Sequence, residues 1–101
     1  MSLPMTNAQR GISTNQGAIS CNDAAWHHAA IPAGSVAVRV YTDQLVYYEF
    51  TATVDDPAAA GPSLNPGTNH ELGCYGAAYV HFKKVATNAT VGWQAVAGVA
   101  V

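Results

Sequence analysis

A chain of 101 residues has room for one domain built on a single core. Only 10% of the residues are charged and the formal net charge is −2, which excludes the basic face that a nucleic-acid duplex requires. No apolar run approaches the ~20 residues of a membrane-spanning helix, and no basic n-region with an apolar h-region marks a signal peptide.

With so few charges, Ser, Thr, Asn and Gln must solvate much of the exterior, and the sequence predicts that a partner covers part of it. Residues 1–16 are polar, rich in Thr, Asn and Gln and without periodicity, which predicts an N-terminal arm. Met1-Ser2-Leu3 ahead of Pro4-Met5 resembles an expression-vector leader. The globular domain is expected over 17–101.

Ala18 to Cys21 is the first strand candidate, stopped by Asn22-Asp23, and Ala24 to Ile31 is the second. A Pro32-Ala33-Gly34-Ser35 turn follows. Next, Val36, Val38 and Val40 alternate with Ala37, Arg39 and Tyr41. Beyond Thr42-Asp43-Gln44, Val46, Tyr48, Phe50, Ala52 and Val54 alternate with Tyr47, Glu49, Thr51 and Thr53. A period of two over this length predicts two strands, each with a buried and an exposed face, joined as a hairpin.

Asp55 to Gly67 carries three prolines, which remove donors and fix φ, so it reads as a long loop with at most one helical turn at Ala58–Ala60. Asn65-Pro66-Gly67 suits a type II turn. Asn69 to Tyr75 resumes extended structure, and Ala78, Val80 and Phe82 alternate with Tyr79, His81 and Lys83 in a further strand. Thr87-Asn88-Ala89 turns into Val91 to Val96, and the charge-free tail 97–101 reads as strand. The fold class is all-β: a single antiparallel β-sandwich or jelly-roll-like barrel of seven to eight short strands. Trp26 and Trp93 are expected to anchor its core.

Chemistry-bearing residues are sparse. Cys21, His27, His28, His70 and Cys74 offer zinc donors, but their spacing matches no metal-ligand template, and adjacent His27 and His28 point to opposite faces of a strand. Cys21 and Cys74 are candidates for a disulfide or for two half-buried free thiols. No nucleophile with a base and an orienting acid, and no paired carboxylates, specify catalysis. The expectation is therefore no catalytic residue, no bound metal and no cofactor. Asn88-Ala89-Thr90 matches a glycosylation sequon. Tyr41, Tyr47 and Tyr79, with His81 and Tyr75 beside them, fall on the faces predicted to be exposed, where aromatic area with a polar handle suits a protein interface or a glycan.

In the order of its segments the chain resembles small bacteriophage virion proteins of the decoration, cement or fibre-associated type. The resemblance covers roughly residues 17–97. It runs from the Ile31-Pro32-Ala33-Gly34-Ser35 turn through the Val-x-Val-x-Val strand and its partner Leu45 to Phe50. It continues through the Pro/Ala/Gly loop, the His81 to Val85 strand and the closing Thr87 to Val91 segment. The resemblance is one of order and texture. It implies a non-enzymatic virion component, made in the bacterial cytoplasm, that binds itself (as a trimer or other cyclic oligomer) and other virion proteins through a weakly charged sheet face and its arm. Two other readings stay open: a carbohydrate- or receptor-binding sandwich using the tyrosines, and a cupin-like metal protein using the histidines.

Overall fold

The computed structural model describes residues 15–58 and 61–98. Its strands are β1 (Gln16–Cys21), β2 (His27–Ala30), β3 (Ser35–Thr42), β4 (Val46–Thr51), β5 (Ser63–Leu64), β6 (His70–Gly73), β7 (Tyr79–Lys84) and β8 (Ala89–Ala97). They form two antiparallel four-stranded sheets, β1-β8-β3-β6 and β2-β7-β4-β5. The sheets stay open and separate, so the molecule is a sandwich and not a closed barrel.

Alternating side chains from the two inner faces make the core. The first sheet contributes Cys21, Val38, Val40, Ala89 and Val91, with Trp93 and Leu72 at its margins. The second contributes Val46, Leu64, Val80 and Phe82, with Tyr48 and Phe50 packed against them. Val38, Val46, Val80, Phe82 and Val91 are wholly buried. At about 25 cal/mol per Å² of apolar surface, this layer is the main favourable term for so small a domain.

The two valine-rich segments are strands, as the alternation predicts, but they are not a hairpin. β3 lies between β8 and β6, whereas β4 lies between β7 and β5 in the opposite sheet. The Asp43-Gln44-Leu45 connection turns a corner, and local hydrogen bonds show why. The Asp43 carboxylate accepts from Thr90 N–H at 2.8 Å and Asp43 N–H donates to Thr90 O at 3.3 Å, which ties the end of β3 to β8. The buried Thr42 hydroxyl donates to Gln44 O at 2.6 Å, and Leu45 O accepts from Val85 N–H on the far sheet. Every connection except β4–β5 likewise crosses between sheets.

A bulge between Ser35 and Ala37 alters the predicted facing of β3. Val36 is the extra residue and is 53% exposed, while Val38, Val40 and Thr42 fill the core. β4 stops at Thr51, so Ala52 and Val54 lie outside the strand and are exposed. The two glycine turns form as expected, with Gly34 at φ +87° and Gly67 at φ +77°. β1 begins at Gln16, one residue into the predicted arm, and Ala95 N–H donates to Asn15 O. The rest of the arm and leader (1–14), two of the three alanines of the predicted helical turn (59–60) and the end of the tail (99–101) lie outside the described residues.

Candidate functional site

Two surfaces stand out, one on each outer face. On the first sheet, strand register aligns Gln16, Gln94, Arg39 and Glu71 in one row across all four strands. Arg39 Nε donates to the Glu71 carboxylate at 3.0 Å in an exposed pair, worth under about 1 kcal/mol. To one side of this row, Tyr41 lies beside Gly92 and Ala18 and is 48% exposed. An open depression of about 700 Å³ runs there, lined by Gln16, Arg39, Tyr41, Asn69 and Gln94 among others.

On the other side of the row, Gly73, Ala37 and Val96 align, and the Tyr75 ring stands beside Gly73. Ala77 N–H donates to Cys74 O at 2.9 Å, and the two residues between have φ +48° (Tyr75) and +82° (Gly76), the signature of a type I′ turn. Glycine and asparagine favour such positions, whereas a bulky residue there is an outlier. Tyr75 is nevertheless 95% exposed. A Cβ added to Gly73 would stand 2.9 Å from Tyr75 Cε2, so glycine leaves the room for the ring.

The second surface is on the outer face of the other sheet, where His28 pairs directly with His81 and Glu49 lies opposite on β4. His81 was expected at the surface. Its parity is indeed outward, but it is wholly buried, because neighbouring groups close over it. Trp26 meets its ring edge-on with centroids 6.4 Å apart, and the His28 ring is tilted against it at 5.5 Å. Trp26, expected in the core, is half-buried on this outer face instead, with Lys83 Nζ 5.7 Å from its ring centroid. Trp93 does pack against the core.

The hydrogen bonds fix the tautomer of His81. Thr51 Oγ1 donates its one hydrogen to Thr53 O at 2.6 Å, so it must accept from His81 Nε2–H at 2.8 Å. Nδ1 is then a bare lone pair, buried and without a hydrogen-bond partner, 3.9 Å from Asp56 Oδ1. Burial, and then the neighbouring His28, lower the His81 pKa, against weaker upward pulls from Asp56, the Thr53 backbone and Glu49. One donor atom each from His28, Asp56 and His81 lies within 4.8 Å of the others.

The remaining sequence candidates disperse. Tyr47 and Tyr79 are half-buried on the second sheet, Tyr47 opposite Lys83 and Tyr79 edge-on to His28, so neither shares a platform with Tyr41. His27 bonds Asp23 at 2.8 Å and His70 bonds Asn65 O at 2.9 Å, so of the candidate donors named from the sequence His28 alone joins the cluster with His81. Asn88 of the sequon accepts from Lys84 Nζ.

Cys21 and Cys74 are buried free thiols. Cys21 is level with Ala89, while Cys74 follows Gly73, which is level with Ala37 and so with Val96. Seven residues of strand separate those levels, roughly 20 Å, against the ~7 Å limit for a bridge. Cys74 Sγ instead donates to Ser35 O at 3.3 Å.

Comparison with known proteins adds no family to this geometry: no family model matches the chain, and neither does any curated protein or solved structure. Tyr75 and the His28–Asp56–His81 cluster are the features that sequence reasoning undervalued. Outward parity of both histidines was readable, but nothing local told that β2 and β7 are neighbours.

Proposed function

We propose that this chain is a non-enzymatic assembly protein that binds further copies of itself through the outer face of the β1-β8-β3-β6 sheet, with Tyr75 and Tyr41 as its anchors. The observation that carries the reading is Tyr75, almost wholly exposed while held in a left-handed conformation that costs an L-residue roughly 1–2 kcal/mol. Strained exposed residues cluster at binding sites, where contact offsets their cost. The rest of the face is suited to a second copy. Gly73, Ala37, Val96, Gly92 and Ala18 are small or apolar, and its adjacent cation and anion, Arg39 and Glu71, are self-complementary between copies. The resemblance in segment order to small phage virion proteins supplies the context: a head or tail lattice in which neighbouring subunits and other virion proteins cover this face.

Sedimentation equilibrium over a wide concentration range tests the proposal. The wild type is expected to self-associate, and Gly73→Ala, which evicts the Tyr75 ring, is expected to weaken that association. A strictly monomeric wild type that also fails to join capsid or tail proteins would remove it.

A second reading rests on the depression beside Tyr41. An aromatic ring flanked by the amides of Gln16, Asn69 and Gln94 and the Arg39 guanidinium offers stacking and hydrogen bonds to a sugar. Glycan-array binding lost on Tyr41→Ala would favour it over self-association.

A further inference from the structure

We propose that His28, Asp56 and His81 bind one divalent transition-metal ion, zinc by preference, on the outer face of the β2-β7-β4-β5 sheet. His81 Nδ1 is buried and has no hydrogen-bond partner. A buried acceptor with no donor costs on the order of 1–3 kcal/mol, and here it faces a carboxylate oxygen that also only accepts. A proton, a bridging donor or a metal ion can each sit between two acceptors 3.9 Å apart.

The one ring proton sits on Nε2, given to Thr51, so Nδ1 presents a bare lone pair to whatever lies between. A metal ion fits the donors better. The Thr51 bond at Nε2 fixes the ring and leaves Nδ1 as the ligand atom, the role that outer hydrogen bonds play at histidine metal sites. His28 supplies a second imidazole from the neighbouring strand, and Asp56 a carboxylate from the segment after β4. Two imidazoles and one carboxylate suit zinc and its neighbours, whereas magnesium and calcium prefer all-oxygen shells.

Tetrahedral ligands about 2.0–2.1 Å from zinc stand roughly 3.3 Å apart. The present 4.8 Å spread closes by side-chain rotation of His28 and Asp56, both exposed, while His81 stays fixed. Water completes the fourth position. The charges of Asp56 and of Glu49 across the strand pair balance a dication. The ion would tie the segment after β4 to β2 and β7, a role separate from the assembly face on the opposite sheet.

Calorimetric titration of Zn²⁺ into chelator-treated full-length protein tests the site, alongside thermal unfolding with and without Zn²⁺. One ion per chain and a raised Tm are expected for the wild type. His28→Ala and Asp56→Asn, both at exposed positions, are each expected to weaken binding by about tenfold or more and to remove most of the Tm shift. Mg²⁺ is expected to do neither. Absence of Zn²⁺ binding at millimolar concentration overturns the proposal. So does binding that is unchanged in both variants, which would place the ion at the His27–Asp23 pair or at His70.

Discussion

Replacing Tyr75 with asparagine should make the isolated domain more stable, although it removes an aromatic residue. Tyr75 sits at φ +48°, where a left-handed conformation costs an ordinary side chain roughly 1–2 kcal/mol and asparagine much less. The ring is 95% exposed, so its removal forfeits little apolar burial. The net gain is then about 0.5–1.5 kcal/mol. For a domain of this size 1 kcal/mol moves Tm by roughly 4–8 °C, so the expected rise is about 2–12 °C. Urea and thermal unfolding at concentrations where the chain is monomeric would measure it, with a higher midpoint and an unchanged m-value. Tyr75→Gly relieves the same strain but loosens the unfolded chain by about 0.5–1 kcal/mol, so it should fall between the wild type and the asparagine variant. Tyr75→Val, β-branched, should be the least stable. An order that follows hydrophobicity, with tyrosine and valine above asparagine, would refute the strain argument. The proposed assembly role adds an opposite sign: the asparagine variant should be more stable as a monomer and weaker in self-association.

Lowered His81 pKa makes stability depend on pH. The unfolded ring binds its proton near 6.5, while the folded ring binds it only at lower pH. The unfolded state therefore holds more protons in that window, and stability, complete above about pH 6.5, falls as pH drops through it. Urea midpoints measured across that range should show the slope, and His81→Gln should flatten it. The Cys21 thiol is pushed up to about 11 by burial and, less, by Asp23. Alkylation of the native protein at pH 8 should therefore leave Cys21 unmodified. Mass spectrometry without reductant should find no Cys21–Cys74 bridge. Phe82→Ala, at the centre of the second sheet's inner face, should cost about 3–5 kcal/mol by the cavity it leaves, read as a lower urea midpoint. Gly61→Ala should also destabilise, because the new methyl would stand 2.5 Å from the Tyr48 backbone oxygen, which cannot swing away as a side chain can.

The strands and their buried faces were legible because each alternates with period two, and that pattern depends only on which side meets the core. Val38, Val40, Val46, Val80 and Phe82 were all placed correctly on that ground. Partner identity was not legible from the same pattern. An inward-facing valine in β3 and another in β4 look alike whether the strands pair with each other or face each other across the core. The corner was decided by Asp43 and Thr90, a contact across 47 residues. The bulge at Val36 was hidden for a similar reason: one extra residue in a Val-x-Val-x-Val run keeps the composition and changes only the facing.

The same limit explains the two surfaces. Tyr75 lies in a Cys-Tyr-Gly-Ala stretch with no Asn-Gly or Gly-Gly signal, so sequence chemistry gives no warning of a type I′ turn there. His28 and His81 lie 53 positions apart, and only the β2–β7 register makes them neighbours. Outward parity then ordinarily means exposure, and for His81 it does not, because Trp26 and the segment ending at Asp56 fold over the sheet. A polar residue that is outward by parity yet wholly buried has lost its water without joining the apolar core. Its hydrogen bonds must then be met locally. Thr51 meets one of the two, which leaves Nδ1 unmet, and the proposed metal site rests on that atom.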